Sequence, residues 1–132
     1  MIEREAICSC GQLQLIVEGE PVRVSVCHCR ACQRRTGSAF GFQARFPRDR
    51  VRIRGRATEF HRRSEAGEER TFSFCPECGA TVYYTVGSVP DAVSIPVGAF
   101  ADPAFGQPEI SVWESRKHPW VTLPSSAQRD DF

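Results

Sequence analysis

The chain has no apolar run approaching the roughly 20 residues that a helix needs to cross a bilayer, which argues against a membrane-spanning protein. Its first residues, Met1 to Ile7, carry charges where a secretory leader has an apolar stretch, so no signal peptide is expected. Charge of one sign is scarce after cancellation. Lys and Arg number 17 against 16 Asp and Glu, a net +1, and that balance gives no overall pull toward nucleic acid or a membrane surface. Clean helical periodicity is missing from every segment longer than about a dozen residues, as are solenoid repeats and low-complexity tracts. An even cysteine count is missing too: seven thiols cannot all pair as disulfides within one chain. The expectation is a reducing, cytoplasmic setting in which clustered cysteines serve metal or catalysis.

What is present fits one small β domain. At 132 residues and 41% apolar content, the core is modest and a metal staple would help hold it. Leu13, Leu15 and Val17 alternate along one strand, and Val22, Val24 and Val26 along another. Gly19-Glu20-Pro21 turns between them, which suggests a hairpin. Alternation returns at Phe40–Phe46, Val51–Ile53 and Ala57–Arg62, then at Arg70–Phe74, Thr81–Val86, Val93–Val97 and Ile110–Val112. Phe72 and Phe74 are expected to point inward, and Ser64–Glu69 to form a solvated loop. Only Arg30–Thr36 offers a turn of helix, closed by Gly37. The fold class is therefore all-β, with several short antiparallel strands and hairpins and little helix. We place a single domain at residues 1–124 and a polar, frayed tail at 125–132.

The chemistry concentrates in the cysteines. Cys27, Cys29 and Cys32 put three thiols within six residues, more than packing alone explains, and thiolates are favoured zinc ligands. In extended chain, residues two apart share a face, so Cys27 and Cys29 can reach one ion while the intervening His28 points away. Three ligands leave a tetrahedral ion one position short, the mark of a working zinc site. Cys8-Ser9-Cys10 repeats the two-apart spacing, and Cys75-Pro76-Glu77-Cys78-Gly79 between two strands reads as a zinc knuckle. Two partitions are possible. Cys29/Cys32 with Cys75/Cys78 would make a zinc ribbon, but ribbon pairs stand only about 15–20 residues apart. Joining Cys8, Cys10, Cys75 and Cys78 in a closed site leaves Cys27, Cys29 and Cys32 as a second one. That division uses every sulfur and fits better.

Together, Cys8-x-Cys10-Gly11, Cys27-His28-Cys29-x-x-Cys32 with Thr36-Gly37-Ser38-Ala39-Phe40, and Phe74-Cys75-x-x-Cys78-Gly79 resemble the glutathione-dependent formaldehyde-activating enzyme family, which includes centromere protein V. The segment from Trp113 to Trp120 resembles the family's closing segment, so the likeness spans Ile7 to Trp120. The resemblance implies a zinc-binding β-tent fold with two Zn²⁺. Cys8, Cys10, Cys75 and Cys78 match the structural site, and Cys27, Cys29 and Cys32 the site of chemistry. The implied activity is carbon–sulfur lyase chemistry that joins glutathione to formaldehyde, giving S-hydroxymethylglutathione. Its partners would be a small thiol and a small electrophile, with no nucleic acid and no membrane.

Three sulfur donors suit thiol chemistry better than water activation. Arg34 and Arg35, beside the cluster, are candidates to clamp a substrate carboxylate, as planar guanidinium groups do well; facing solvent is the plainer role for them. His61 reads as a surface residue and His118 as a rim residue. Trp113 and Trp120 read first as packing aromatics, and second as walls of a substrate pocket. The competing reading is a non-catalytic zinc module contacting a macromolecule. A redox role for the C-x-x-C pairs lacks the βαβ context it needs.

Overall fold

The computed structural model describes residues 1–131, and the architecture is all-β. Three strands form a small sheet: β1 (Glu3–Ile7), β2 (Gln14–Glu18) and β5 (Val51–Arg54), with β2 in the middle. The remaining strands are β3 (Arg23–Cys27), β4 (Gly41–Pro47), β6 (Thr58–Arg63), β7 (Glu69–Phe74), β8 (Thr81–Val86), β9 (Val89–Pro96), β10 (Ile110–Val112) and β11 (Gln128–Arg129). These build an eight-stranded sheet in the order β11-β10-β3-β4-β9-β8-β7-β6. Pairing is antiparallel except where β10 lies parallel to β3 and to β11. The one α-helix among the described residues, α1 (Arg30–Thr36), sits between β3 and β4 and ends at Gly37 in the left-handed conformation. Both its place and its terminator follow from the sequence.

Period-two alternation decides what each strand buries. On the large sheet, Val24, Ala44, Phe46, Val93 and Ile95 turn toward the small sheet and meet Leu13, Leu15 and Val17 in the main core. Phe46 is fully buried there and touches the Phe100 ring at a centroid distance of 6.1 Å. The opposite face of the large sheet carries Arg23, Ser25 and Cys27 on β3, Gln43 and Arg45 on β4, and Ser94 on β9. One sheet therefore has an apolar face that stabilises the fold and a polar face that forms a cavity.

Several expectations change on contact with the structure. β2 and β3 are not a hairpin: β2 pairs with β1 and β5, whereas β3 pairs with β4 and β10 in the other sheet. The turn at Gly19–Pro21 is thus a crossing between sheets, which local patterning does not distinguish from a reversal. Phe74 is only half-buried whereas Ser73 is buried, and the β7–β8 register shifts between the two. The tail is not frayed. Ala127 is buried, β11 pairs with β10, and the Asp130 amide donates to Ser111 O at 2.8 Å. Phe132, the last residue of that tail, lies outside the described residues.

Candidate active site

The four-sulfur group joins two turns from different sheets. Cys8 and Cys10 follow β1, and Cys75 and Cys78 occupy the β7–β8 turn. Their sulfurs converge to within 4.8 Å of one another. Cys8–Cys10 and Cys10–Cys75 each stand 3.6 Å apart. A zinc–sulfur length of about 2.3 Å implies tetrahedral S···S separations of about 3.8 Å, so the donor set fits that ion. Amides aim at the sulfurs as well: Leu13 N–H at Cys8 Sγ (3.3 Å) and Glu77 N–H at Cys75 Sγ (3.3 Å). Gly79 at φ +80° supplies the left-handed residue that this turn requires. Burial opposes ionisation of Cys75. The amides of Cys78 and Glu77 and the side chain of Gln12 outweigh it and bring its pKa down to about 6.

Gln12 has no cysteine-like signature, and nothing in the sequence marks it. Its Nε2 donates to Cys75 Sγ (3.0 Å) and to Arg56 O (2.7 Å), while its Oε1 accepts from Arg56 N–H (3.0 Å). One side chain therefore orients a sulfur and fastens the β5–β6 turn beside it.

The three-sulfur group forms where β3 runs into α1. Cys27 ends the strand, Cys29 is the helix N-cap and Cys32 lies in the first turn. Cys32 N–H donates to Cys29 Sγ at 3.4 Å, so the cap and the cluster share an atom. The three sulfurs lie within 4.8 Å of one another, and no fourth His, Cys, Asp or Glu joins them among the described residues. Hydrogen bonds from Cys27 and Cys32 hold the Cys29 thiol far below the ordinary thiol range, while Cys27 is pushed up because it donates. A donor set of this kind suits a soft divalent ion.

His28 points away from the sulfurs, as its alternation predicts. It is completely buried, and its Nε2 lies 2.8 Å from Ser111 Oγ. Ser111 donates to Glu114 Oε2, which fixes His28 as the Nε2–H tautomer donating to the serine. The chain His28–Ser111–Glu114 ties the cysteine loop to β10. Ser111 and Glu114 are sequence-distant and carried no signal of this role.

Beside the three sulfurs lies a cavity of about 740 Å³ on the polar face of the large sheet. Val112 and Trp113 form part of its wall, and Arg23, Arg45, Arg62 and Arg70 also line it. Arg34 lines this cavity and Arg35 does not. The Arg35 guanidinium instead lies over the rings of Phe72 (5.1 Å) and Tyr84 (5.6 Å), so the expected pair of clamps is divided. Trp113 is a cavity wall, the second of its two readings, and holds an unusual left-handed backbone at φ 57°. Trp120 is 71% exposed and packs in no core. His118 is exposed and bonds Gln33 Oε1 at 2.9 Å, and His61 is exposed beside Thr71 Oγ1 at 3.0 Å. Ser64, Glu65 and Glu68, expected in a solvated loop, line the cavity as well. The four strand arginines were missed because each looks like surface charge when read singly. The usable signal was parity: Arg23, Ser25 and Cys27 share one strand face.

A comparison with curated proteins finds no match. A structure comparison finds a crystal structure of a Rhodobacter sphaeroides protein at a TM-score of 0.59 and 22% identity. The match covers 75% of this chain and 91% of that one, and supports the fold alone. A family profile described as glutathione-dependent formaldehyde-activating enzyme matches residues 3–116. With both cysteine groups assembled as the motifs require, the chain belongs to the glutathione-dependent formaldehyde-activating enzyme family.

Proposed function

We propose that the protein is a zinc-dependent carbon–sulfur lyase that joins an acidic thiol such as glutathione to formaldehyde or a similar small electrophile. The observation that carries this reading is the opening of the three-sulfur group directly into an arginine-lined cavity. Cys8, Cys10, Cys75 and Cys78 would hold one ion for architecture, and Cys27, Cys29 and Cys32 a second. When bound there, zinc supplies positive charge that favours the thiolate form of a neighbouring thiol.

The reaction forms one S–C bond. The thiol sulfur attacks the carbonyl carbon, the C=O π pair moves to oxygen, and that oxygen takes up the proton lost by the thiol. Catalysis at such a step comes largely from holding two reactants together. Arg34 supplies a guanidinium group to hold a carboxylate of the thiol, a bidentate match that fixes orientation as well as affinity. Val112 and Trp113 give the sulfur end an apolar wall. The cytoplasmic setting belongs to the same proposal, and seven free cysteines in two close groups support it. No helix is long and apolar enough to cross a membrane among the described residues.

The test is the rate of hemithioacetal formation, followed by exchange NMR with glutathione and formaldehyde. Acceleration by the metal-loaded protein should vanish in Cys29→Ser while the four-sulfur site stays full. A rate equal to the uncatalysed one, or acceleration retained in Cys27→Ser, Cys29→Ser and Cys32→Ser alike, would overturn the assignment. The protein would then be a non-catalytic zinc module.

A further inference from the structure

Strand register sets arginine against arginine twice on the cavity face. Arg23 of β3 lies directly opposite Arg45 of β4, and Arg62 of β6 directly opposite Arg70 of β7. Like charges in such positions repel and destabilise a sheet. None of the four forms an ion pair with a carboxylate among the described residues. All four are half-buried and line the same cavity. Burial, with Arg23 and Arg70 nearby, works against the charge on Arg45. Arg70 Nε is buried without an acceptor among the described residues, although buried donors are nearly always satisfied. The choice of residue is informative too. Of the 17 cationic side chains in the chain only Lys117 is a lysine, and arginine stays charged where lysine would shed its proton.

We propose that Arg23, Arg45, Arg62 and Arg70 form an anion subsite for a phosphate group carried at the far end of the thiol substrate. The charge count favours phosphate over glutathione's own groups. Glu65 and Glu68 also line the cavity and offset two of the four guanidiniums. Two carboxylates and an ammonium give a tripeptide thiol one net negative charge, whereas a phosphate monoester concentrates about two charges and three acceptor oxygens at one point. The spacing suits a long substrate. Arg23 precedes Cys27 by four residues on one strand, about 13 Å at the usual rise, so a phosphate held by Arg23 and Arg45 would lie well away from the sulfurs, while Arg62, over the Phe72 ring at 5.0 Å, stands nearer to Cys29. The proposal rests on the reading of the three-sulfur group as the thiol's end.

Calorimetric titration with inorganic phosphate at constant ionic strength tests the subsite without any thiol or turnover. Wild-type, metal-loaded protein should bind phosphate saturably and more tightly than succinate. Arg45→Gln and Arg62→Gln should each weaken phosphate at least about tenfold, as the loss of a charge-assisted contact does, while Arg52→Gln on the small sheet changes nothing. Arg62 lies on the edge strand β6, so its variant keeps the test decisive if Arg45→Gln fails to fold. Cys29→Ser should bind phosphate as well as wild type, so a wrong reading of the sulfur chemistry would leave this result intact. No phosphate binding, succinate preferred over phosphate, or equal affinity in Arg52→Gln, Arg45→Gln and Arg62→Gln would overturn the proposal.

Discussion

Replacing Gln12 by alanine removes three hydrogen bonds at once without touching a cysteine. The donation to Cys75 Sγ, at 3.0 Å, is partly buried and reaches a sulfur whose pKa lies near 6, so it is charge-assisted at neutral pH. Such a bond contributes about 1–1.5 kcal/mol toward the low end of its class. The two bonds with the Arg56 backbone are exposed and contribute about 0.5 kcal/mol each. Gln12→Ala should therefore cost about 2–2.5 kcal/mol. In a domain of this size that is a fall in Tm of about 6–10 °C. Loss of a bond to a metal ligand also weakens metal affinity by about 10–100-fold. Competition with a chromophoric chelator should show one of two equivalents released early, while the other keeps its wild-type affinity. Early release of both equivalents, or of neither, would refute the idea that Gln12 serves the four-sulfur group alone. An unchanged Tm would refute the hydrogen-bond reckoning.

Gly55→Ala should be more damaging than a surface turn suggests: φ is +96° and an added Cβ would lie 2.0 Å from Gln12 O. We expect a loss of at least about 2 kcal/mol, read by urea unfolding, with metal loosened as in Gln12→Ala. Ser111→Ala strips buried His28 of its Nε2 partner and should cost about 1–3 kcal/mol, with intact metal binding at the four-sulfur site in the same chelator assay. Truncation after Pro124 deletes β11 and the buried Ala127. Thermal unfolding should show a clear loss of stability, whereas a frayed tail would leave Tm unchanged. Arg34→Ala should weaken binding of an acidic thiol several-fold at full metal content, and Arg35→Ala should instead lower stability through the lost contacts with Phe72 and Tyr84.

The sequence by itself determined the strands from β2 to β10, the short helix and the division of cysteines into two groups, but neither β1 nor β11. Those properties are local: alternation over a few residues selects β structure, Gly37 ends a turn of helix, and close thiols declare a metal site whatever surrounds them. Tertiary structure alone decided which strands are neighbours. A turn at Gly19–Pro21 looks the same whether the chain doubles back or crosses to another sheet, so the β2–β3 hairpin failed for want of long-range information. The arginines show the same limit in the site. A net charge of +1 conceals where the charges lie. Register brings Arg23 against Arg45 and Arg62 against Arg70 on one cavity face, because pairing across strands, and not position along the chain, sets which charges share a low-dielectric space.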